Sequence, residues 1–544
     1  MASAMRPFDS ARRDLLRLSS VSLAASAAAA FPAFAAAPRK GAALPTTPSL
    51  FDVRTYGATG DGKTIDSPAI NKAIEAAAAA GGGTVIFPAG NYVSFSIRLK
   101  SHVDLYLSQG CTIIAAESPL PGQTTGYMGG TYDATEPKVA WDIYQDWGHN
   151  HWRNSLLWGD GISDFSITGP GLLWGKGLSF GADRAARGAY PKYVAEQPGV
   201  GNKTIGLRNC HNVILRDFSI LKGGHFGMLL TGVDNITIDN LKIDTDRDGM
   251  DIDCCKNVRV TNCFVNAPWD DGICPKSSFA LGYNRPTQNV AIANCYVSGC
   301  WQLGTLLDGT YKRQSTGGGR IKCGTESNGG FINIAISNCV FEGTQGLALE
   351  TVDGALLEDI TVSNITMRDI TSCPIFLRLG ARLRGPKGTG DQSTVVGTLR
   401  RVLISNLNCA NSGARFGSIL SGIPGHFIED VKLDNIYVQS AGGGAPDLVN
   451  IHPPEDEAKY PEPGMFGATP AHGFYLRHIK NLELSHVEVR PTVPDPRPSF
   501  YLDDVHRADF IAVTAPSTPP AFSINNSTDV RILISRAAPD SITP

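Results

Sequence analysis

The stretch "NAPWDDGICPKSS", residues 266 to 278, sets two carboxylates side by side, Asp270 and Asp271, with Gly272 after them and Lys276 five residues beyond the second. Adjacent carboxylates repel, so a chain places them where water screens them or where the repulsion is used. A second crowd of acids lies upstream in "DTDRDGMDIDCCKN", residues 244 to 257, which contains Asp248, Gly249 and Asp251. Asp248 precedes Asp270 by 22 positions. Paired carboxylates in a groove suit glycoside hydrolysis, where one protonates the leaving oxygen and another activates water. The same acids also suit a Ca²⁺ site, and a solvated acidic turn is the plain alternative for any one of them.

The elements that position these residues are set by a repeat. An Asn or Asp, alternating apolar and polar residues, then Asn with Cys or an apolar residue recur as "NVILRDF" at 212, "NITIDNL" at 235, "NVRVTNC" at 257, "NVAIANC" at 289, "NIAISNC" at 333, "DITVSNI" at 359, "DVKLDNI" at 430 and "NLELSHV" at 481. The first two steps are 23 and 22 residues, and longer later steps fit the same unit with insertions. Period-two alternation reads as a strand with one buried face. A unit this short buries that face only by stacking on its neighbours. The implied fold is all-β, a parallel β-helix running from about residue 48 to 544, whose turn asparagines form ladders between coils. "DSPAINKAIEAAAAAGGG" predicts one capping helix at its N-terminal end, with Asp66 or Ser67 as N-cap and Gly81 as stop.

A 22-residue coil stacks Asp248 beside Asp270 and Asp271. Strand alternation alone would send the adjacent pair to opposite faces, and burying an unpaired carboxylate is costly. Bends at Gly249 and Gly272 are therefore expected to bring the acids onto one concave face.

Composition narrows the setting. A formal charge of −3 lacks the basic surface that nucleic acid demands. Residues 1–37 carry Arg12 and Arg13, an Ala-rich apolar run and small residues spaced like a cleavage site. They read as a twin-arginine-type signal peptide, removed on export to the periplasm or beyond. No later stretch is apolar for long enough to span a bilayer. Of the twelve cysteines, Cys210, Cys263, Cys295, Cys339 and Cys409 each follow an asparagine at the end of an alternation, as small buried residues stacked inside a repeat would. No Cys/His set has zinc-site spacing.

With these residues in place the chain resembles glycoside hydrolase family 28, the polygalacturonase family of right-handed parallel β-helices, over nearly its whole mature length. "FDVRTYGATGDGKTIDSPAINKAIEAAAAAGGGTVIFPAGNY" looks like that family's N-terminal cap, which pectate lyases and phage tailspikes share. "DRDGMD" matches the Asn-Thr-Asp-Gly-x-Asp motif, with Asp246 and Arg247 in place of Asn-Thr, and "WDDGICPKS" matches Gly-Asp-Asp-x-Ile-x-x-Lys-Ser, with Trp269 in place of Gly. The resemblance implies Asp270 as general acid, its pKa raised by its acidic neighbours. Asp248 and Asp271 then hold the attacking water, inversion at the anomeric carbon follows, and acid and base stand about 6.5 to 9.5 Å apart.

"GGGRIKCGTESNGG" resembles a Gly-His-Gly block running into Gly-Ser-Glu, with Gly318 at the histidine position. Glu350 in "ALE" stands where an Arg-Ile-Lys motif supplies the lysine that grips the substrate carboxylate. A glutamate there is expected to repel galacturonate, which counts against ordinary homogalacturonan cleavage and makes a rhamnogalacturonan-type or exo-acting hydrolase the alternative. Lys276, Arg320, Lys322, His225, Glu326 and Asp251 are the expected substrate-binding residues, with Arg378, Arg382 and Arg384 as further cations. Residues 300 to 318 read as an insertion that walls one end of the groove. The expectation is a monomeric, exported hydrolase of a pectin-type polysaccharide or oligosaccharide, free of membrane after signal removal and needing no cofactor or metal. Two alternatives stand beside it, a Ca²⁺-dependent polysaccharide lyase on the same solenoid and a non-catalytic carbohydrate-binding or adhesive β-helix.

Overall fold

Asparagine turns set the cross-section of the molecule. Asn212, Asn235, Asn257, Asn289 and Asn333 open successive repeats with φ between +50° and +59°, the left-handed region that Asn adopts more readily than most residues. Each turns the chain between sheets while its side chain reaches the neighbouring coil. The amide of Asn235 donates to Asn212 Oδ1 at 2.8 Å, that of Asn289 to Asn257 at 2.9 Å and that of Asn333 to Asn289 at 2.9 Å. A second ladder five residues on runs from Asn294 through Asn338, Asn364 and Asn406 to Asn435. The cysteines that follow this second ladder are buried and free, and Cys263, Cys295 and Cys339 each donate to the carbonyl two residues earlier, at 3.1 to 3.3 Å. A small apolar residue with a weak donor fits this corner.

The computed structural model describes residues 49–544 apart from 146, 180–192, 304, 306, 308, 311, 316, 388–393 and 414, and side chains between 300 and 316 are described only in part. The proposed signal segment lies outside the described residues. Within them the chain forms one 36-stranded sheet system paired almost throughout in parallel, a right-handed parallel β-helix. Its interior is a continuous apolar cluster from Val53 to Ala537. Six strands of one sheet carry the site, numbered here along the chain: β1 Met228–Thr231, β2 Met250–Asp253, β3 Ile273–Lys276, β4 Ile321–Cys323, β5 Leu347–Thr351 and β6 Ile375–Leu379. Their register pairs Leu229 with Asp251, Asp251 with Cys274, Ile273 with Ile321, and Lys322 with Ala348.

The expected helix is α1, Ser67–Ala79, which buries Ile70, Ala73, Ile74 and Ala77 at helical spacing. Asp66 stands at its N-cap position but bonds outward, accepting from the amides of Thr59 at 2.7 Å and Gly60 at 3.1 Å. The insertion before β4 contains an antiparallel hairpin that pairs Cys300–Leu303 with Lys312–Ser315. Long excursions at 116–156 and 443–473 leave the solenoid and return side chains to it, Trp152 to Thr231 of β1 and Glu462 to Arg320 and Lys322 at β4.

Candidate active site

Strand β2, "MDID", explains how acids come to lie on a wall of this solenoid. Met250 and Ile252 point into the apolar interior, so Asp251 and Asp253 point to the outer face of the coil. They are nonetheless buried, because the excursions cover that face. Asp248 lies in the turn before β2, and Asp270 and Asp271 lie in the equivalent turn before β3. The amide of Gly249 donates to Asp271 O at 3.0 Å, which fixes the two turns one coil apart, as the 22-residue spacing predicts.

The glycines serve close approach rather than an unusual dihedral angle. A Cβ on Gly249 would fall 2.5 Å from Gly272 O, and neither glycine has positive φ. The expected bends are thus coil contacts. Gly318 is closer still, since a Cβ there would meet Ala267 O at 2.4 Å and Asp270 O at 2.6 Å. The backbone of the Asp270 turn leaves no room for a side chain at this position.

The amide of Asp271 donates to Asp248 Oδ1 at 3.3 Å and to Asp270 Oδ1 at 3.2 Å, and the carboxyl of Asp248 hydrogen-bonds that of Asp270. These two acids are therefore closer than the gap of about 6.5 to 9.5 Å expected of an acid and base with water between them. The distribution of charge also departs from expectation. Burial alone would raise the pKa of Asp270, but the Arg247 guanidinium, the Asp248 hydrogen bond, Lys276 and Lys322 outweigh it and hold this carboxyl well below the usual range. Arg247 donates to Asp270 Oδ2 through Nε at 3.2 Å and Nη2 at 3.0 Å. Burial, followed by the charges of Asp270 and Asp251, pushes Asp248 well above the usual range instead. Asp251, wholly buried, is pushed up to about 7 by burial, against the pull of Lys276. The two shifts run opposite to the assignment the motifs imply, and the largest influence lowering Asp270 is Arg247, which the sequence pattern offered only as a replacement for threonine.

Lys276 and Glu326, both named above as substrate-binding candidates, pair with each other. The Lys276 ammonium lies 3.3 Å from Glu326 Oε2, 3.7 Å from Asp251 Oδ1 and 3.8 Å from Asp248 Oδ2. Burial works against its charge, but these carboxylates raise its pKa well above the ordinary value. His149, Asp248 and Asp251 bring ligand atoms within 4.8 Å of one another, a spacing able to hold a metal ion. Lys276 already supplies positive charge to two of the three, so the set fits a metal poorly.

Arg320 and Lys322, before and within β4, stand on the other side of Asp271. Arg320 Nε donates to Asp271 Oδ1 at 2.5 Å, and Lys322 Nζ lies 3.5 Å from Asp271 Oδ2 and 3.8 Å from Glu350 Oε2. Glu350 is completely buried, and burial pushes its pKa up to about 8. The repulsion expected of it is thereby muted, because this carboxyl is largely protonated near neutral pH and faces Lys322.

His225 joins the site through Arg247, whose Nη1 lies 2.9 Å from His225 Nε2. Burial, then the Arg247 charge, holds its pKa well below the ordinary histidine value. Two of the cations at 378 to 384 are engaged by the protein itself. Arg378 donates to Ser421 Oγ and Gly422 O on the solenoid and to Glu455 O on an excursion, and Arg382 grips both oxygens of Asp353.

Three contributors escaped the pattern because they arrive on irregular excursions. His149 stacks on Phe226 with ring centroids 4.9 Å apart and places Nδ1 3.7 Å from Glu326. The hydroxyl of Tyr460 accepts from Thr325 Oγ1 at 2.8 Å, with Lys322 Nζ 5.3 Å from its ring centre. Glu462 accepts from both terminal guanidinium nitrogens of Arg320, Nη1 and Nη2, and lies 3.5 Å from Lys322 Nζ.

Comparison with known proteins agrees with this architecture. Residues 50–135 match the family described as rhamnogalacturonase A/epimerase, pectate lyase-like, and residues 203–384 match the right-handed beta helix region. The chain is 22% identical to the exo-poly-alpha-D-galacturonosidase of Dickeya chrysanthemi over 61% of its own length and 57% of that protein's. It is 30% identical to mannuronan C5-epimerase AlgE1 of Azotobacter vinelandii over 38% of its own length and 14% of that protein's. The chain thus spans less than two thirds of either relative. In three dimensions it is similar to the family 28 exopolygalacturonase of Yersinia enterocolitica, with a TM-score of 0.58 and 18% identity over 89% of this chain and 78% of that one. That last likeness concerns the fold, and relatives by sequence include an exo-poly-alpha-D-galacturonosidase.

Proposed function

We propose that this chain is a glycoside hydrolase of the polygalacturonase type, acting on a pectin-type, uronate-containing polysaccharide or oligosaccharide. The observation that carries the reading is the contact of Asp248, Asp270 and Asp271 from two consecutive coils, beside the buried cations Arg320 and Lys322. Two like-charged carboxyls in contact share one proton and titrate as a pair. In this reading Asp248 stores that proton and Asp270 delivers it to the leaving oxygen. Asp270 is the member solvent reaches, its side chain 26% exposed against 3% for Asp248. Asp271 orients the attacking water and takes the proton it loses, and Lys276 offsets the negative charge of Asp248 and Asp251. The matching motifs imply a single inverting displacement.

Nuclear magnetic resonance of the first-formed product from a short α-linked galacturonate oligomer tests this. The reading expects the β anomer first, with turnover reduced by a factor of about 10² to 10⁴ in both Asp248→Asn and Asp270→Asn while the fold is kept. An α anomer appearing first would replace inversion with a covalent intermediate.

A further inference from the structure

The excursion at 443–473 does more than cover the site. Arg320 and Lys322 sit two positions apart, so both side chains leave the same face of the chain, and both are almost completely buried. Each already has a carboxylate partner, Asp271, at 2.5 Å and 3.5 Å. Glu462 adds another from the solvent side, 142 residues further along the chain from Arg320, with its side chain 34% exposed. One of its oxygens faces Arg320 Nη1 at 2.8 Å and the other contacts Nη2. This two-point fork is how arginine grips any carboxylate.

The main chain around Glu462 is held without it. Arg477 donates to Pro453 O and Pro454 O, Ala381 donates to Glu457 O, Tyr460 is held by Thr325, and Phe466 is buried against Phe376 and Tyr475. Withdrawing the Glu462 carboxylate therefore needs only a turn of its own side chain.

We propose that Glu462 is a built-in occupant of the place where the substrate's uronate carboxylate binds, so that substrate enters by exchanging its carboxylate for that of Glu462 on Arg320 and Lys322. This rests on the reading of the substrate as uronate-bearing. A carboxylate at that place adjoins Asp271 and hence the reacting bond. Glu462 then sets specificity: a neutral sugar leaves it in place, and a uronate must compete with it.

The test is calorimetric titration of the full chain carrying Asp270→Asn, which blocks turnover, with trigalacturonate and with its fully methyl-esterified form. Adding Glu462→Ala is expected to tighten trigalacturonate binding by about tenfold or more, and to leave the neutral ester within about twofold. Glu462→Gln, which keeps the shape and removes the charge, is expected to act in the same direction, and thermal melting checks that each variant is folded. Equal or weaker trigalacturonate binding in both folded variants would overturn the role of Glu462 and leave the pectin reading standing. Binding of the ester alone, with trigalacturonate silent in every protein, would overturn the uronate reading and the role of Glu462 with it.

Discussion

Arg247 holds Asp270 as an anion by two hydrogen bonds to one carboxylate oxygen, and it does so from the coil that also carries Asp248. In the proposed hydrolase Asp270 is the general acid, which must hold its proton at the working pH, so this contact is expected to set the alkaline limit of activity. Removing the guanidinium lets the carboxyl pair keep its proton to higher pH. Arg247→Gln is expected to move the alkaline limb of the kcat/KM profile upward by about one unit, as read from initial rates across pH. A limb that stays in place or moves down would show that Arg247 does not control the proton.

Asp251 gives stability a pH dependence of unusual sign. Its pKa in the folded chain is about 7, against about 3.9 unfolded. Between these values the folded state binds a proton that the unfolded state has released, so this group's contribution to stability falls as pH rises from about 4 to 7. Asp251→Asn removes that penalty. Chemical unfolding is expected to show the wild type losing up to about 1.4 kcal/mol per pH unit across this window from this group, with a flatter dependence in the variant.

Gly318 tests the packing of the acid-bearing turn. A methyl group there meets the backbone of Ala267 and Asp270, which cannot yield without moving the turn. Gly318→Ala is expected to cost about 1 to 3 kcal/mol in denaturant unfolding and to lower turnover through displacement of Asp270. Gly318→His, which would restore the pattern of the resembling family, is expected to be worse on both counts.

Asn289 tests the ladders. It donates to Asn257, accepts from Asn333 and has φ of +57°. Asn289→Ala loses both bonds and keeps an unfavourable dihedral angle, for an expected loss of about 2 kcal/mol. Asn289→Gly relieves the dihedral term, so its melting point should fall between those of the wild type and the alanine variant.

These cases mark what the sequence could disclose. The coil length, the ladders and the meeting of Asp248 with Asp270 and Asp271 were legible because each follows from one period: residues 22 or 23 apart stack. The Arg247–Asp270 contact obeys the same spacing and was open to the same reasoning. Arg247 stands at a threonine position of the resembling motif, so its charge has no counterpart there. Glu462, Tyr460 and His149 were not legible. They stand on excursions without periodicity, and their partners lie far away in sequence, 142 residues in the case of Glu462 and Arg320. The burial of Glu350 was likewise invisible, since alternation shows which way a side chain leaves its strand and not what later covers it.

The most direct measurement is to incubate the purified protein, and its Asp270→Asn variant, with homogalacturonan and with rhamnogalacturonan, following reducing ends and the ultraviolet absorbance of unsaturated sugars together. The account predicts new reducing ends without unsaturation on at least one of these polymers, abolished in the variant. Unsaturated products, or reducing ends released as fast by Asp270→Asn as by the wild type, would contradict it.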